Sequence, residues 1–237
     1  MTRIFPLRSE NIVKQFLFLT ILFASSCLLA AESKPAQPNI ILIMADDLGY
    51  RELGSYGQQL IKTPYLDQLA RDGMRFSRNY SGNAVCAPSR CVLMTGQHPG
   101  HAYIRNNSEM KPEGQGPIPD ATVTMAEVLK QRGYATGAFG KWGLGGPGSE
   151  GDPIHQGFDR FYGYNCQRHA HSYYPNYLWS NDKKVVLDNV PPVPGHAGLA
   201  KGADPANPSS YDQFKGRDYA PDRINQQAVE FIRQHKD

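Results

Sequence analysis

Asn39-Ile40-Ile41-Leu42-Ile43-Met44-Ala45-Asp46-Asp47 is a nearly unbroken apolar and β-branched run that ends abruptly in two carboxylates. Alternation would mark a half-buried strand; a continuous run predicts a parallel strand covered on both faces. Parallel sheets of this kind bind ligands beyond the carboxyl ends of their strands, which is where Asp46 and Asp47 fall.

The sequence downstream repeats the pattern. Thr63 is placed to cap a helix with Pro64 at its first position; Leu66, Leu69 and Ala70 give the buried stripe and Gly73 the stop. A second strand is expected over 74–80. Thr124 and Glu127 have capping-box spacing, Met125, Val128 and Leu129 supply an apolar face, and Gly133 closes that helix. Residues 134–139 predict the next strand, leading to Gly140-Lys141. This alternation argues for an α/β fold with a mostly parallel sheet, and it puts Lys141, like Asp46 and Asp47, at a strand end. Residues 143–218 are rich in Gly, Pro, Tyr and His, with one hairpin expected where 177–179 and 184–187 flank Asn181-Asp182. Pro221 and Asp222 open a final helix carrying Ile224, Ala228, Phe231 and Ile232 on one face. No strand follows before Asp237, so the expectation is an N-terminal portion of a longer α/β domain, truncated on its C-terminal side.

Upstream, Arg3, Arg8 and Lys14 precede the apolar run 16–23 and the small residues of 24–31, the order of a secretory signal peptide. The run is well short of the roughly 20 residues that span a bilayer, so no transmembrane segment is expected in the mature form. The expected organisation is a signal peptide at 1–31, a linker at 32–38 and an incomplete catalytic domain at 39–237. Export to the periplasm or the extracellular space follows. Cys27, after Ala24-Ser25-Ser26, loosely resembles a lipoprotein cleavage site and leaves lipid anchoring open. The formal charge of +3 comes from 25 basic and 22 acidic residues scattered along the chain, without the basic block that a nucleic-acid partner needs.

Three cysteines, Cys86, Cys91 and Cys166, lie downstream of the leader. An odd number in an exported chain asks what the unpaired one does. A Cys91–Cys166 bridge with Cys86 reserved for chemistry would settle the count, but spacing does not establish it.

Cys86-Ala87-Pro88-Ser89-Arg90, continued by Leu93, Thr95 and Gly96, is the sharpest motif. Pro88 suits the first turn of a helix, which places residue 86 beside exposed N–H groups and the positive end of the dipole, an anion site. The segment matches the C-x-P-S-R signature of the type I sulfatases, and the resemblance runs from about residue 39 to residue 236. It implies an alkaline-phosphatase-like, three-layer α/β sandwich with a mostly parallel central sheet. It also implies that a maturation enzyme oxidises Cys86 to formylglycine, whose hydrate carries two hydroxyls on one carbon. One attacks sulfur and displaces the alcohol; loss of the proton from the other then expels sulfate and restores the aldehyde.

The same resemblance assigns Asp46 and Asp47, with residue 86, to a Ca2+ ion, because hard carboxylate oxygens suit a hard cation. The rest of that ligand set, an Asp-Asn pair far downstream, has no counterpart in this sequence. Arg90 would hold the nucleophile and its metal. Gly140-Lys141-Trp142 resembles the segment whose lysine contacts a sulfate oxygen. One departure stands out: the family has histidine two residues beyond this lysine, and this chain has Gly143. In Gln167-Arg168-His169-Ala170-His171, the expectation is that His171, or failing it His169, enters the pocket and binds substrate or supplies the missing imidazole. His98 and His101 are expected to serve local backbone.

These assignments imply a sulfuric ester hydrolase acting on aryl sulfates or sulfated carbohydrates. Two alternatives remain at this level: a phosphodiester or phosphonate hydrolase of the same superfamily, and an inactive fragment that binds sulfated glycans.

Overall fold

The computed structural model describes residues 37–191, 193, 195 and 197–236; the expected signal peptide and nearly all of the linker lie outside them. The chain divides into two units between Met44 and Ala45. In the first unit the described residues 37–44 enter no β-ladder, and Ile40, Ile41, Leu42, Ile43 and Met44 are exposed. The strand expected at 39–45 is therefore not formed. The same holds for 74–80, where Met74, Phe76 and Tyr80 are exposed. β-branched and aromatic residues favour a strand through packing against neighbours on a covered sheet, and a run without that cover has only its composition.

In the second unit local signals do produce their elements. Helix α1, Pro64–Asp72, starts after Thr63. The Thr63 hydroxyl makes no cap bond to its own helix; it accepts from the Gly54 N–H and donates to Asp67. Helix α2 spans Cys86–Thr95 and ends at Gly96 in left-handed backbone. Helix α3, Met125–Gln131, carries both halves of the capping box between Thr124 and Glu127, and the Thr124 hydroxyl also donates to the Gln156 carbonyl.

The sheet is built from β1 (Gly137–Lys141), β2 (Arg160–Tyr164), β3 (Tyr177–Ser180) and β4 (Lys183–Val186), in the order β1-β2-β3-β4. β1 and β2 are parallel, with Gly140 opposite Gly163 and Lys141 opposite Tyr164. β2–β3 and β3–β4 are antiparallel. The parallel pair of the expected architecture is thus extended by an antiparallel hairpin, a common edge of such sheets. That hairpin turns at Asn181, whose φ is 54° and whose side-chain oxygen accepts from the Phe161 N–H. The strand expected at 134–139 forms slightly later and ends on Lys141.

Alternation along these strands separates two cores. Ala138, Phe161 and Trp179 face Ala87 and Cys91 of α2 and Ala126 of α3. Phe139, Tyr162, Tyr164 and Leu178 face the other way, onto Ala220 and Ile224. Those two residues belong to helix α4, Ala220–His235, whose Phe231 ring lies 5.6 Å from that of Phe139. Helices therefore cover both faces, giving the three layers of the expected sandwich.

β1 and β2 leave no room for a side chain at Gly163. A Cβ on Gly163 would lie 2.0 Å from the Gly140 carbonyl oxygen. The obstacle is backbone, so relief requires the two strands to part. Gly163→Ala is expected to cost about 1–3 kcal/mol of stability through overpacking, measured by urea unfolding.

Cys86, Cys91 and Cys166 are all free thiols, so the Cys91–Cys166 bridge is not formed. Cys91 is sealed in the core beneath α2, whereas the Cys166 thiol donates to Glu109 at 3.8 Å. No described helix is long and apolar enough to cross a membrane.

Candidate active site

Cys86 is the first residue of α2, after Val85 in extended backbone (φ −112°, ψ 146°). Ala87, Pro88 and Cys91 are buried and fix the helix against the sheet, so residue 86 is held at its head. The Ala87 N–H donates to Asn107 Oδ1 at 3.0 Å, and the Ser89 N–H to the Val85 carbonyl at 2.9 Å.

Lys141 reaches this point from the end of β1. Its Nζ donates to Asp46 Oδ2 at 2.8 Å and to Cys86 Sγ at 3.3 Å. Arg90 lies four residues beyond Cys86 on α2. One of its terminal nitrogens donates to the Lys141 carbonyl; the other lies 3.7 Å from Asp46 Oδ1. Both cationic side chains are largely withdrawn from water, Lys141 at 8% exposure and Arg90 at 13%. Each oxygen of Asp46 thus faces a different cation.

Burial pushes the Asp46 carboxyl upward, but the Lys141 hydrogen bond and charge, with Arg90 and His171 behind them, outweigh it. The group sits below its ordinary value. Burial pulls the Arg90 guanidinium down, opposed by Asp46, Cys86 and Asp47. The cluster is an electrostatic unit in which His171 and Asp47 act through charge and Asp46, Cys86, Arg90 and Lys141 through direct contact. Asp47 itself is exposed, in left-handed backbone with φ 54°.

The two candidate histidines take different partners. His171 lies close enough for its charge to act on Asp46. His169 sits 3.7 Å from Glu113 Oε1, its ring 4.4 Å from that of Tyr177 and 5.5 Å from that of Tyr164. Glu113 also accepts from the Tyr177 hydroxyl and from Trp179 Nε1. His98 serves local backbone, its Nδ1 accepting from the Gly100 N–H.

Glu113 was not visible as a site neighbour in the sequence, since a lone glutamate in a Gly-rich loop carries no spacing signal. Burial raises its carboxyl, but His169, Tyr177 and Trp179 together bring it below the ordinary value. A depressed carboxyl stabilises the fold above its unfolded-state pKa, about 4.3, and the benefit is lost as pH falls through the lower folded value. Glu113→Gln is expected to remove that component of acid destabilisation, seen as a flatter denaturation midpoint against pH on the acid side.

Asp46 and Asp47 offer the hard oxygens that calcium prefers, but Ca2+ takes six to eight oxygen ligands. Among the described residues no group of three or more His, Cys, Asp or Glu is spaced to hold a metal. Of the expected trio of Asp46, Asp47 and Cys86, the Lys141 ammonium contacts both Asp46 and the Cys86 sulfur. The two aspartates fit as part of a calcium site and do not complete one.

A family model described as Sulfatase matches residues 38–237. The chain belongs to the sulfatase family. Bovine arylsulfatase A is 47% identical over 145 residues, covering 61% of this sulfatase chain and 28% of the relative. Human steryl-sulfatase is 39% identical over 168 residues, covering 67% and 27%. The rat N-acetylgalactosamine-6-sulfatase is 39% identical over 166 residues, covering 67% and 31%. The chain thus spans between a quarter and a third of the length of these curated relatives. Among solved structures, Ps i-CgsB in complex with k-i-k-neocarrahexaose superposes with a TM-score of 0.65 at 28% identity, over 84% of this chain and 42% of that one. The PsFucS1 sulfatase from Pseudoalteromonas sp. superposes with a TM-score of 0.58 over 96% of this chain. The fold of the sulfatase chain is accordingly the α/β, alkaline-phosphatase-like one.

Proposed function

We propose that this sulfatase chain carries the nucleophile side of a sulfuric ester hydrolase, with residue 86 converted from cysteine to formylglycine by a maturation enzyme. The observation that carries the reading is Lys141, whose ammonium contacts both Cys86 Sγ and Asp46 at the head of α2. A buried cation beside the nucleophile, on a helix N-terminus, is built to receive an anion whose charge shifts between oxygens during bond cleavage. The sulfate ester fits that description.

Each residue then has a task. Lys141 steadies a sulfate oxygen, Arg90 holds the carbonyl of Lys141 and the face of Asp46, and His171 is assigned to the substrate. Asp46 and Asp47 would hold Ca2+ as part of its ligand set, and the bound ion would supply a Lewis acid for a sulfate oxygen. Formylglycine supplies the hydrated nucleophile and a second hydroxyl for release. The name arylsulfatase A and the neocarrahexaose in the Ps i-CgsB complex support aryl sulfates and sulfated carbohydrates as the substrate class. Export of the protein belongs to the same proposal.

Mass analysis of the peptide holding residue 86, from active protein isolated from its own host, tests the nucleophile. Loss of sulfur and gain of a carbonyl oxygen is expected; ordinary cysteine in active protein contradicts it. Parallel turnover of an aryl sulfate and an aryl phosphodiester tests the reaction, with the sulfate expected to be preferred.

A further inference from the structure

Gln167 is a buried polar side chain to which the proposed reaction gives no task. It is only 3% exposed, and neither its Oε1 nor its Nε2 has a hydrogen-bond partner among the described residues. A carboxamide withdrawn from water with both ends unmet is costly, and such groups in native proteins call for a specific explanation.

Its position says what meets it. Gly143 stands two residues past Lys141 in left-handed backbone, φ 83°, and a Cβ there would lie 1.9 Å from Gln167 Nε2 and 2.6 Å from its Cδ. The carboxamide therefore fills the space that a side chain at position 143 would take. On its other side, the Ala170 N–H bonds the Cys166 carbonyl and the His171 N–H bonds the Arg168 carbonyl. Residues 166–171 thus form a tight turn that closes in the 3-10 helix His169–His171, so Gln167 and His171 belong to one short coil. His171 is the histidine whose charge reaches Asp46. Gln167 therefore lies against the chain two residues past Lys141, whose ammonium holds Asp46, and in the same turn as His171.

We infer that Gln167 is a substrate-contacting residue of this pocket, donating from Nε2 to an oxygen of the sulfate group and offering Oε1 to a hydroxyl of the same ligand. The assignment rests on the sulfate-ester reading and gives a task to the position at which this chain carries Gly143. A carboxamide has no proton to lose near neutrality, so its contact is constant with pH where an imidazole's would not be. Gly143 is part of the device, because any side chain there displaces the amide.

The test uses inorganic sulfate as the probe, titrated calorimetrically into the protein and into Gln167→Met, Gln167→Leu and Lys141→Ala. Gln167→Met is expected to weaken sulfate binding about tenfold or more, the loss of one or two hydrogen bonds to an anion. Its thermal midpoint should be unchanged or raised, because an apolar group replaces an amide that had no protein partner. Gln167→Leu fills a similar volume and should show the same pattern. Wild-type affinity in either variant while Lys141→Ala loses it overturns the assignment and leaves the sulfate reading standing. A lowered thermal midpoint in both Gln167 variants would make Gln167 a structural residue and also overturns it. Sulfate binding that is absent from the wild type, or indifferent to Lys141→Ala, overturns the anion site itself and the assignment with it.

Discussion

Lys141→Ala is expected to lower kcat/KM toward an aryl sulfate by about 10²–10³-fold, or about 3–4 kcal/mol of transition-state stabilisation. The magnitude follows from where the ammonium sits. It is 8% exposed, donates to Asp46 at 2.8 Å and lies 3.3 Å from Cys86 Sγ, so water cannot take its place without reorganising the cluster. Charge that develops on a sulfate oxygen would meet a fixed cation in a medium of low dielectric, where such a contact is worth more than in solvent. Arg90 does not substitute, because it is committed to the Lys141 carbonyl and to Asp46. Lys141→Arg should restore little, since a larger, planar guanidinium cannot place its N–H groups in the compact tetrahedral directions of an ammonium. Steady-state kinetics on matured protein decide the matter: an unchanged kcat/KM in Lys141→Ala removes the lysine from the mechanism.

The contrast between what the sequence announced and what it hid has a physical pattern. Features set by neighbours in the chain were legible. The Thr124–Glu127 capping box and the Asn181 turn depend on spacings of a few residues, and both formed as read. Features that need distant partners were not. The run at 39–45 has the composition of a covered strand, but composition does not supply the ladder or the layers, and its isoleucines are exposed. The site divides along the same line. Cys86, Arg90 and Lys141 were readable because they stand in segments that resemble the sulfatase motifs, at a helix start and a strand end. Asn107 and Glu113 matter only through what folds over them, Asn107 by accepting from the Ala87 N–H and Glu113 by gathering His169, Tyr177 and Trp179. Gln167 stands beside two histidines in the sequence, and an imidazole advertises chemistry where an amide does not. Only the collision between its side chain and a Cβ at position 143 reveals what it occupies.

Cys86→Ser is expected to abolish multiple turnover and leave the protein sulfated. Serine keeps a nucleophilic oxygen at the head of α2, beside the same Lys141 and Arg90, so the first displacement at sulfur remains chemically available. What it lacks is the second hydroxyl on the same carbon. A hydrated aldehyde can release sulfate by collapsing to a carbonyl; a serine sulfate ester has no such exit and must wait for direct attack by water. The expected result is release of at most about one equivalent of alcohol per protein, with steady-state turnover down by at least about 10⁴-fold. Cys86→Ala should release none, because it offers no nucleophile. The discriminating measurement is the mass of the residue-86 peptide after incubation with substrate, with covalent sulfate expected on Cys86→Ser and absent from Cys86→Ala. Sustained turnover by the serine variant would show that the second hydroxyl is dispensable, and a two-hydroxyl release step could not then be the reason for oxidising residue 86.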